Sequence, residues 1–374
     1  DVYKRQIEDT LNGKIAVVRK TIIDDEGKER RVIDDQKTIE IQDKQMDLKD
    51  KFSTWIWEDE DRSKNLIDIY NRKFNSEVNR EYNGDWLTFP EMNSNIQLMK
   101  HQKNAVARII QGGNSLLAHV VGSGKTFEMI ASAMESKRLG LCNKSLIVVP
   151  KHLTDQTGNE FLNLYPNANI LVATAKDFSP ANRKEFCAKI ATGNFDAIII
   201  GQTQFQKIPM SKEFQQEFML AEIENIEKAL NDLNGRSESS RITIKNLEKA
   251  RLNKIEALEK LNDDKDKDDV VTFEELGVDR LYIDEAHYYK NLYIPTKLNN
   301  VQGIGQSNSK RASDLLMKCR YMDKITNNKG VIFATGTPIS NNISEMYVMQ
   351  TYLQNDKLIE KDFHSFDGWV SNFA

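Results

Sequence analysis

Short apolar runs and amphipathic stretches alternate along most of the chain. Each apolar run is typical of a buried strand, and the stretches between them carry apolar residues at helical spacing. This alternation predicts an α/β fold in which helices cover both faces of a parallel sheet. The predicted strands lie near Ser115, Leu146, Ile170, Ala197, Leu281 and Val331, and the predicted helices span residues 100–110, 126–139, 153–164 and 340–354.

Residues 1–84 depart from this alternation because they are rich in charge. They are predicted to form an N-terminal accessory segment, with strands at 15–18 and 38–41 and a helix over 44–70. Trp55 and Trp57 lie on that helix, and aromatic residues at helical spacing are typical of a core. Stacking on nucleic-acid bases is the alternative for this pair.

A second departure covers residues 210–269. Two stripes of apolar residues at helical spacing are separated by a polar break, which predicts an antiparallel helical hairpin. The hairpin interrupts a lobe over 85–354. It is expected either to pack only on itself or to act as a lever that contacts DNA or a partner domain.

The first candidate for chemistry is the run Gly122-Ser123-Gly124-Lys125-Thr126 after the strand near Ser115. Two glycines allow backbone N–H groups to converge on an anion, and the next helix directs its positive end toward the same point. Lys125 is predicted to reach the β- and γ-phosphates of ATP, and Thr126 to bind Mg²⁺ through its hydroxyl. The full P-loop pattern has a further glycine at the position of His119.

Two more motifs follow apolar runs, namely Asp284-Glu285-Ala286-His287, a DEAH box, and Thr335-Gly336-Thr337-Pro338. Asp284 is predicted to complete the Mg²⁺ shell, and Glu285 to orient and deprotonate the attacking water. The hydroxyls of Thr335 and Thr337 are expected to bond to a carboxylate or to His287. Such bonds would couple the nucleotide site to the rest of the molecule.

In this order, the three motifs resemble the first RecA-like motor lobe of superfamily 2 helicases and translocases, in the Swi/Snf-like branch. Residues 98–102, 146–151 and 198–205 extend the resemblance. It implies that Gln102 senses adenine and that Lys151 and Thr203 contact the backbone of double-stranded DNA. It also implies that the lobe hydrolyses ATP with Mg²⁺. The alternatives are a solvated lysine at Lys151 and a capping hydroxyl at Thr203.

Residues 86–107 and 273–291 sharpen this resemblance toward the helicase part of very large phage and conjugative-element proteins, often joined to an adenine-specific DNA methylase. It implies a second RecA-like lobe beyond Ala374, a possible methylase domain in the same polypeptide, and a truncated link over 355–374. Residues 1–6 resemble an adapter-derived stub and are expected not to be native. Without the second lobe and its arginine, slow ATP hydrolysis is expected.

The formal net charge of −4 argues against a domain that holds DNA by a global basic field, but a motor needs only a local phosphate track. Three scattered cysteines and the lack of a membrane-length apolar run predict a cytoplasmic protein. Cysteines and histidines without ligand spacing predict no structural zinc. The family resemblance implies that the protein is encoded by a bacterium or a phage. The resulting hypothesis is a DNA-dependent ATPase that translocates on or unwinds DNA. The alternatives are a restriction-type motor subunit, a non-enzymatic nucleotide switch that scaffolds partners, or a motor on RNA.

Overall fold

The chain forms two compact units, Asp1–Glu81 and Tyr82–Ala374. The computed structural model describes residues 10, 18–23, 29–74, 80–179, 181–233, 241–263, 271–296, 309–361 and 363–373.

The described residues of the smaller unit include a two-stranded antiparallel sheet and two long helices. These elements are β1 (Arg19–Ile23), β2 (Glu29–Ile33), α1 (Asp35–Trp57) and α2 (Glu60–Phe74). The strand predicted over 38–41 is wrong, because these residues lie in the first turns of α1. Asp34 caps this helix by accepting a hydrogen bond from the Lys37 N–H (3.3 Å), and the cap outweighs the local β-branched residues. The strand predicted over 15–18 lies outside the described residues except for Val18.

The single helix predicted over 44–70 is interrupted at residues 58–59. Asp59 accepts a hydrogen bond from the Arg62 N–H (2.8 Å) and starts the second helix. The core prediction for the paired tryptophans is wrong, because Trp55 is 44% exposed and Trp57 is 66% exposed. Instead, the Arg62 guanidinium lies over the Trp55 ring at 3.9 Å from its centroid.

The larger unit is built on a six-stranded sheet with the order β3-β8-β7-β4-β6-β5. All five strand pairs are parallel, so the predicted α/β fold is confirmed. The strands are β3 (Ser115–Leu117), β4 (Ser145–Val149), β5 (Ile170–Val172), β6 (Ala197–Gly201), β7 (Arg280–Asp284) and β8 (Val331–Ala334).

Successive residues of the central strands belong to two different hydrophobic cores. Leu146 and Val148 of β4 pack in one cluster, and Ile147 and Val149 pack in the other. All four side chains are completely buried. Each contributes about 1.5–3 kcal/mol by leaving water, which explains why these strands are continuous apolar runs and do not alternate with polar residues.

Helices cover both faces of this sheet. In chain order, the described helices of the larger unit, including the two helices of the hairpin, are α3 (Lys100–Gln111), α4 (Lys125–Arg138), α5 (Thr154–Leu164), α6 (Arg183–Thr192), α7 (Gln202–Phe205), α8 (Lys212–Leu233), α9 (Arg241–Asp263), α10 (Lys310–Thr326), α11 (Ser344–Leu353), α12 (Asn355–Glu360) and α13 (Phe366–Phe373). Five of these helices were not predicted, namely α6, α7, α10, α12 and α13. No helix in the described part of the chain is long and apolar enough to cross a membrane.

Helices α8 and α9 form the predicted antiparallel hairpin. Its polar bonds join the start of α8 to the end of α9 and the middle of one helix to the middle of the other. They are Gln216 with Asn262, Glu222 with Lys254 and Glu227 with Arg251. Ile226 and Leu247 form a small buried cluster of their own between the helices. The hairpin therefore has an internal core, separate from the two cores of the sheet.

Candidate functional site

The three motifs lie at the carboxyl ends of neighbouring strands. β8 lies between β3 and β7, and the last residue of β8, Ala334, is aligned with both Leu117 and Asp284. The N–H of Thr335 donates to the carbonyl oxygen of Leu117 (3.1 Å). In open α/β sheets, this edge is where ligands bind.

The loop between β3 and α4 has the backbone geometry of a phosphate cradle. Gly122 and Gly124 have φ of +85° and +84°, in the left-handed region that favours glycine. Gly124 directly precedes α4, so the N-terminal N–H groups of that helix follow the loop. The hydroxyl oxygen of Ser123 is buried and has no hydrogen-bond partner among the described residues. This orphaned group and the helix N-terminus fit a bound phosphate.

Lys125 extends along the same loop. Its Nζ donates to the carbonyl oxygens of His119 (3.0 Å) and Val120 (3.1 Å). A Cβ placed on Gly336 would lie 3.7 Å from this Nζ, so the first and third motifs meet at the lysine. Burial raises the pKa of Asp284 in the second motif, and the Lys125 ammonium acts in the opposite direction.

Gln102 lies against the loop and is 6% exposed. Its Nε2 donates to the carbonyl oxygen of Ser123 (3.0 Å), and its Oε1 accepts from the N–H of Met99 (2.8 Å). The side chain thus holds the phosphate loop directly. The predicted contact with adenine stays a prediction. While these two bonds are kept, Gln102 can contact adenine only through the other Nε2 hydrogen and the other Oε1 lone pair.

A buried acid contacts the loop between β3 and α4, and the sequence patterns did not predict it. Glu128, in the first turn of α4, is completely buried, and both of its oxygens contact His119 Nδ1 (2.7 and 2.9 Å). Burial raises the pKa of Glu128, although the two neighbouring histidines, His119 and His101, act in the opposite direction. The residue that replaces the expected glycine is therefore fixed by a bond to the helix that follows the loop.

The acidic box begins at the end of β7. Burial, together with the neighbouring Glu285 carboxylate, raises the pKa of Asp284 to about 6. Glu285 has φ of +51°, a left-handed conformation that is strained for a residue with a side chain. Its N–H donates to Asp284 Oδ1 (2.9 Å).

His287 connects the acidic box to the third motif. Its Nδ1 lies 3.0 Å from Glu285 Oε2 and 3.1 Å from Thr335 Oγ1. Because a carboxylate can only accept, the Nδ1 of a neutral His287 carries the proton, and Nε2 keeps its lone pair. Thr335 Oγ1 also accepts from the N–H of Thr337 (3.1 Å). Of the two hydroxyls expected to couple these motifs, that of Thr335 contacts His287, whereas Thr337 contributes its backbone N–H to Thr335 and not the expected hydroxyl bond.

A second unpredicted acid, Glu345, ties the segments after these motifs together. This carboxylate is 1% exposed and accepts from Lys290 Nζ (3.0 Å), from the Ser340 N–H (2.6 Å) and from Asn341 Nδ2 (3.2 Å). Burial alone would raise the pKa of Glu345, but the bonds from Ser340 and Lys290 outweigh it and lower the pKa.

The two candidate DNA contacts lie at the same edge of the sheet, beyond β7. Lys151 follows β4 and Thr203 follows β6, and these strands are neighbours with Val149 aligned to Gly201. Both candidate residues are exposed. At the carboxyl edge of the sheet, the nucleotide motifs therefore follow β3, β8 and β7, and the predicted DNA contacts follow β4 and β6.

The residues present fit Mg²⁺ bound together with phosphates. Thr126 and Asp284 are the predicted ligands. Thr126 lies in the segment after β3, Asp284 is the last residue of β7, and only β8 lies between these two strands. Among the described residues, no group of three or more His, Cys, Asp or Glu side chains could hold a metal. A hydroxyl and one carboxylate suit Mg²⁺, which keeps water and phosphate oxygens as its other ligands.

The fold and this strand edge define a helicase-like α/β lobe. Residues 108–374 match the family model described as "Probable helicase domain", and the chain belongs to this family. Residues 3–76 match a model described as a domain of unknown function, DUF8437. The predicted resemblance to a superfamily 2 helicase lobe is thereby confirmed.

Individual proteins are also similar to the chain. The "Defense against restriction protein B" of Escherichia phage P1 is 23% identical in an alignment of length 363 that covers 82% of this chain and 15% of the phage protein. The chain thus spans a small part of that relative. The solved "Sulfolobus solfataricus SWI2/SNF2 ATPase core in complex with dsDNA" is 16% identical, with a TM-score of 0.43, over 77% of this chain and 41% of the other.

Proposed function

We propose that this chain is the first motor lobe of a DNA-dependent ATPase that moves along or unwinds double-stranded DNA. The observation that carries the proposal is the meeting of three motifs at one strand edge. Lys125 lies beside Gly336, and His287 contacts both Glu285 and Thr335. Membership of a helicase family supports the same conclusion.

In the proposed mechanism, backbone N–H groups at residues 122–126 hold the ATP phosphates, and Lys125 leaves its carbonyl partners to contact them. Thr126 and Asp284 hold Mg²⁺, which neutralises phosphate charge when bound. Glu285 accepts the proton of the attacking water, and His287 keeps the Glu285 carboxylate oriented through its Nδ1–H. Thr335 links this proton acceptor to the third motif.

The larger context is also part of the proposal. We expect a second lobe that supplies an arginine to the γ-phosphate, and a mobile-element polypeptide connected with DNA methylation. Similarity to a phage protein supports the mobile-element part. DNA contact is proposed at Lys151 and Thr203, whose side chains are exposed at neighbouring strand ends.

Two substitutions test the nucleotide site. Lys125→Ala removes the ammonium that contacts the phosphates, and we expect it to abolish ATP binding by the 374-residue chain in titration calorimetry. Glu285→Gln keeps the shape of the side chain but not its basicity, so ATP binding should stay at the parent level. Turnover by the natural polypeptide that carries this chain should fall by about 10²–10⁴-fold.

The decisive measurement is steady-state phosphate release by that polypeptide, with and without double-stranded DNA. Stimulation by DNA that is absent from Glu285→Gln supports the motor. If the turnover of the parent protein is the same with and without DNA, the proposed DNA motor is contradicted. If Glu285→Gln turns over ATP at the parent rate, the proposed role of Glu285 is contradicted.

A further inference from the structure

The short helix α7 is held by buried polar contacts at both ends. Gln204 Oε1 accepts from the Gly201 N–H (2.6 Å), and Gln204 Nε2 donates to the Thr174 carbonyl oxygen (2.8 Å). At the other end, Lys318 is completely buried, and its Nζ donates to the Phe205 carbonyl oxygen (2.8 Å). Such bonds are strong in a low-dielectric interior. These bonds anchor α7 to the end of β6, to Thr174 and to α10.

The first residue of α7 connects this helix to the acidic box. Gln202 is 8% exposed, and its Nε2 donates to the main-chain carbonyl oxygen of Asp284 (3.1 Å). The strand β4 lies between β6 and β7 in the sheet, so this side chain spans the end of one whole strand. The adjacent residue, Thr203, is exposed and is one of the two proposed phosphate contacts.

The carbonyl that Gln202 contacts belongs to the peptide between Asp284 and Glu285. Glu285 is in the left-handed region, with φ of +51°, and a non-glycine residue keeps such a conformation only where its surroundings hold it. The same peptide donates its N–H to Asp284 Oδ1 (2.9 Å). Gln202 thus bonds to the carbonyl oxygen of this peptide group. The orientation of the peptide group sets the direction of the Glu285 side chain.

We infer that Gln202 is a positioning residue that links DNA contact at Thr203 to the orientation of Glu285 during ATP hydrolysis. This inference rests on the proposed function. DNA phosphate against Thr203 shifts or steadies α7, and Gln202 transmits the effect to the Asp284–Glu285 peptide. Its role is distinct from DNA binding, since the side chain is buried, and from nucleotide binding, since its partner is a main-chain carbonyl behind the carboxylates.

The test compares two glutamines in the natural polypeptide that carries this chain. Gln202→Met keeps the length of the side chain and removes its donor. Gln206→Met is the matched control, because Gln206 lies one turn further and its Nε2 has no hydrogen-bond partner among the described residues. The turnover number and the KM for ATP are measured with and without saturating double-stranded DNA, and DNA affinity is measured separately.

For Gln202→Met, we expect the DNA-stimulated turnover number to fall about 5–10-fold, the effect of one lost hydrogen bond to a strained peptide. The KM for ATP and the DNA affinity should stay within about twofold of the parent, because neither ligand contacts Gln202. Gln206→Met should behave as the parent. Adding Thr203→Ala to Gln202→Met should lower the stimulation no further, because both residues act on one path.

Parent-like stimulation in Gln202→Met overturns the inference, and so does an equal loss in Gln206→Met. Full additivity with Thr203→Ala also overturns it, because the two residues then act separately. A parent that is not stimulated by DNA refutes the proposed function itself, and the parent control identifies that case. If Gln202→Met does not fold, Gln202→Asn serves the same test, since its shorter side chain keeps the polarity but cannot reach Asp284.

Discussion

The strongest test of the phosphate loop is a comparison of its two left-handed glycines. Replacing either with alanine imposes the same conformational penalty, about 1–2 kcal/mol for a Cβ in this region. The surroundings differ. A Cβ on Gly122 meets nothing within 4 Å, whereas a Cβ on Gly124 would lie 2.2 Å from Gln102 Nε2. Gln102 then has to move and loses its bond to Ser123, at a further cost of about 1 kcal/mol.

Because ATP has to restore the loop conformation on binding, these costs appear in its dissociation constant. We expect Gly122→Ala to weaken binding about 5–30-fold and Gly124→Ala about 30–150-fold, since 1.4 kcal/mol corresponds to about tenfold. Titration calorimetry with the 374-residue chain measures both. In a Gln102→Ala background, the difference between the glycine variants should disappear. Equal effects in the parent background, or a difference that persists without Gln102, would refute the reasoning.

Two further predictions concern buried acids. The pKa of Asp284 is about 6 in the folded chain against an ordinary 3.8, so the folded state binds more protons. The contribution of Asp284 to the free energy of unfolding is therefore fully present below about pH 4, and about 3 kcal/mol of it is lost as the pH rises through 6. Without Mg²⁺, Asp284→Asn should remove this component from the unfolding free energy between pH 4 and pH 7, and an unchanged pH profile would contradict it. His119→Ala removes the nearest partner of the buried Glu128 and leaves only His101 Nε2, at 3.9 Å, beside this carboxylate. We expect a loss of up to about 3 kcal/mol in thermal unfolding. Adding Glu128→Gln should recover part of this loss, and no recovery would exclude a poorly compensated charge at Glu128 as its cause.

The sheet could be predicted because its central strands are buried on both faces, which leaves a continuous apolar run in the sequence. The phosphate loop and acidic box could be located for a related reason, since each follows such a run directly. The strand predicted over 38–41 shows the limit of this approach. Its apolar and β-branched residues suggested a strand locally, but the cap at Asp34 placed them in a long helix.

The supporting contacts of the site could not be predicted. Glu128 and Glu345 are acids within helices, where local patterns suggest solvent exposure. Their burial depends on partners brought close by the fold, His119 for the first and Lys290 for the second. Lys290 is 55 positions away from Glu345 along the chain. Amphipathic periodicity shows which face of a helix is buried, but not which polar group compensates a buried charge.

The position of β8 in the sheet affects how the chain folds during its synthesis on the ribosome. β3, which leads into the phosphate loop, is an edge strand that pairs only with β8 among the described strands. The side chain of Asn114 reinforces this join by accepting from the N–H of Val331, 217 residues later. At about 5–20 residues per second, a ribosome needs about 10–40 s to make that interval. Nascent chains of intermediate length therefore contain Lys125, and later also Glu285, before β8 has been made and can pair with β3. Nucleotide binding should thus begin late in synthesis, and a chaperone that shields unpaired strands would act on β3 during this interval.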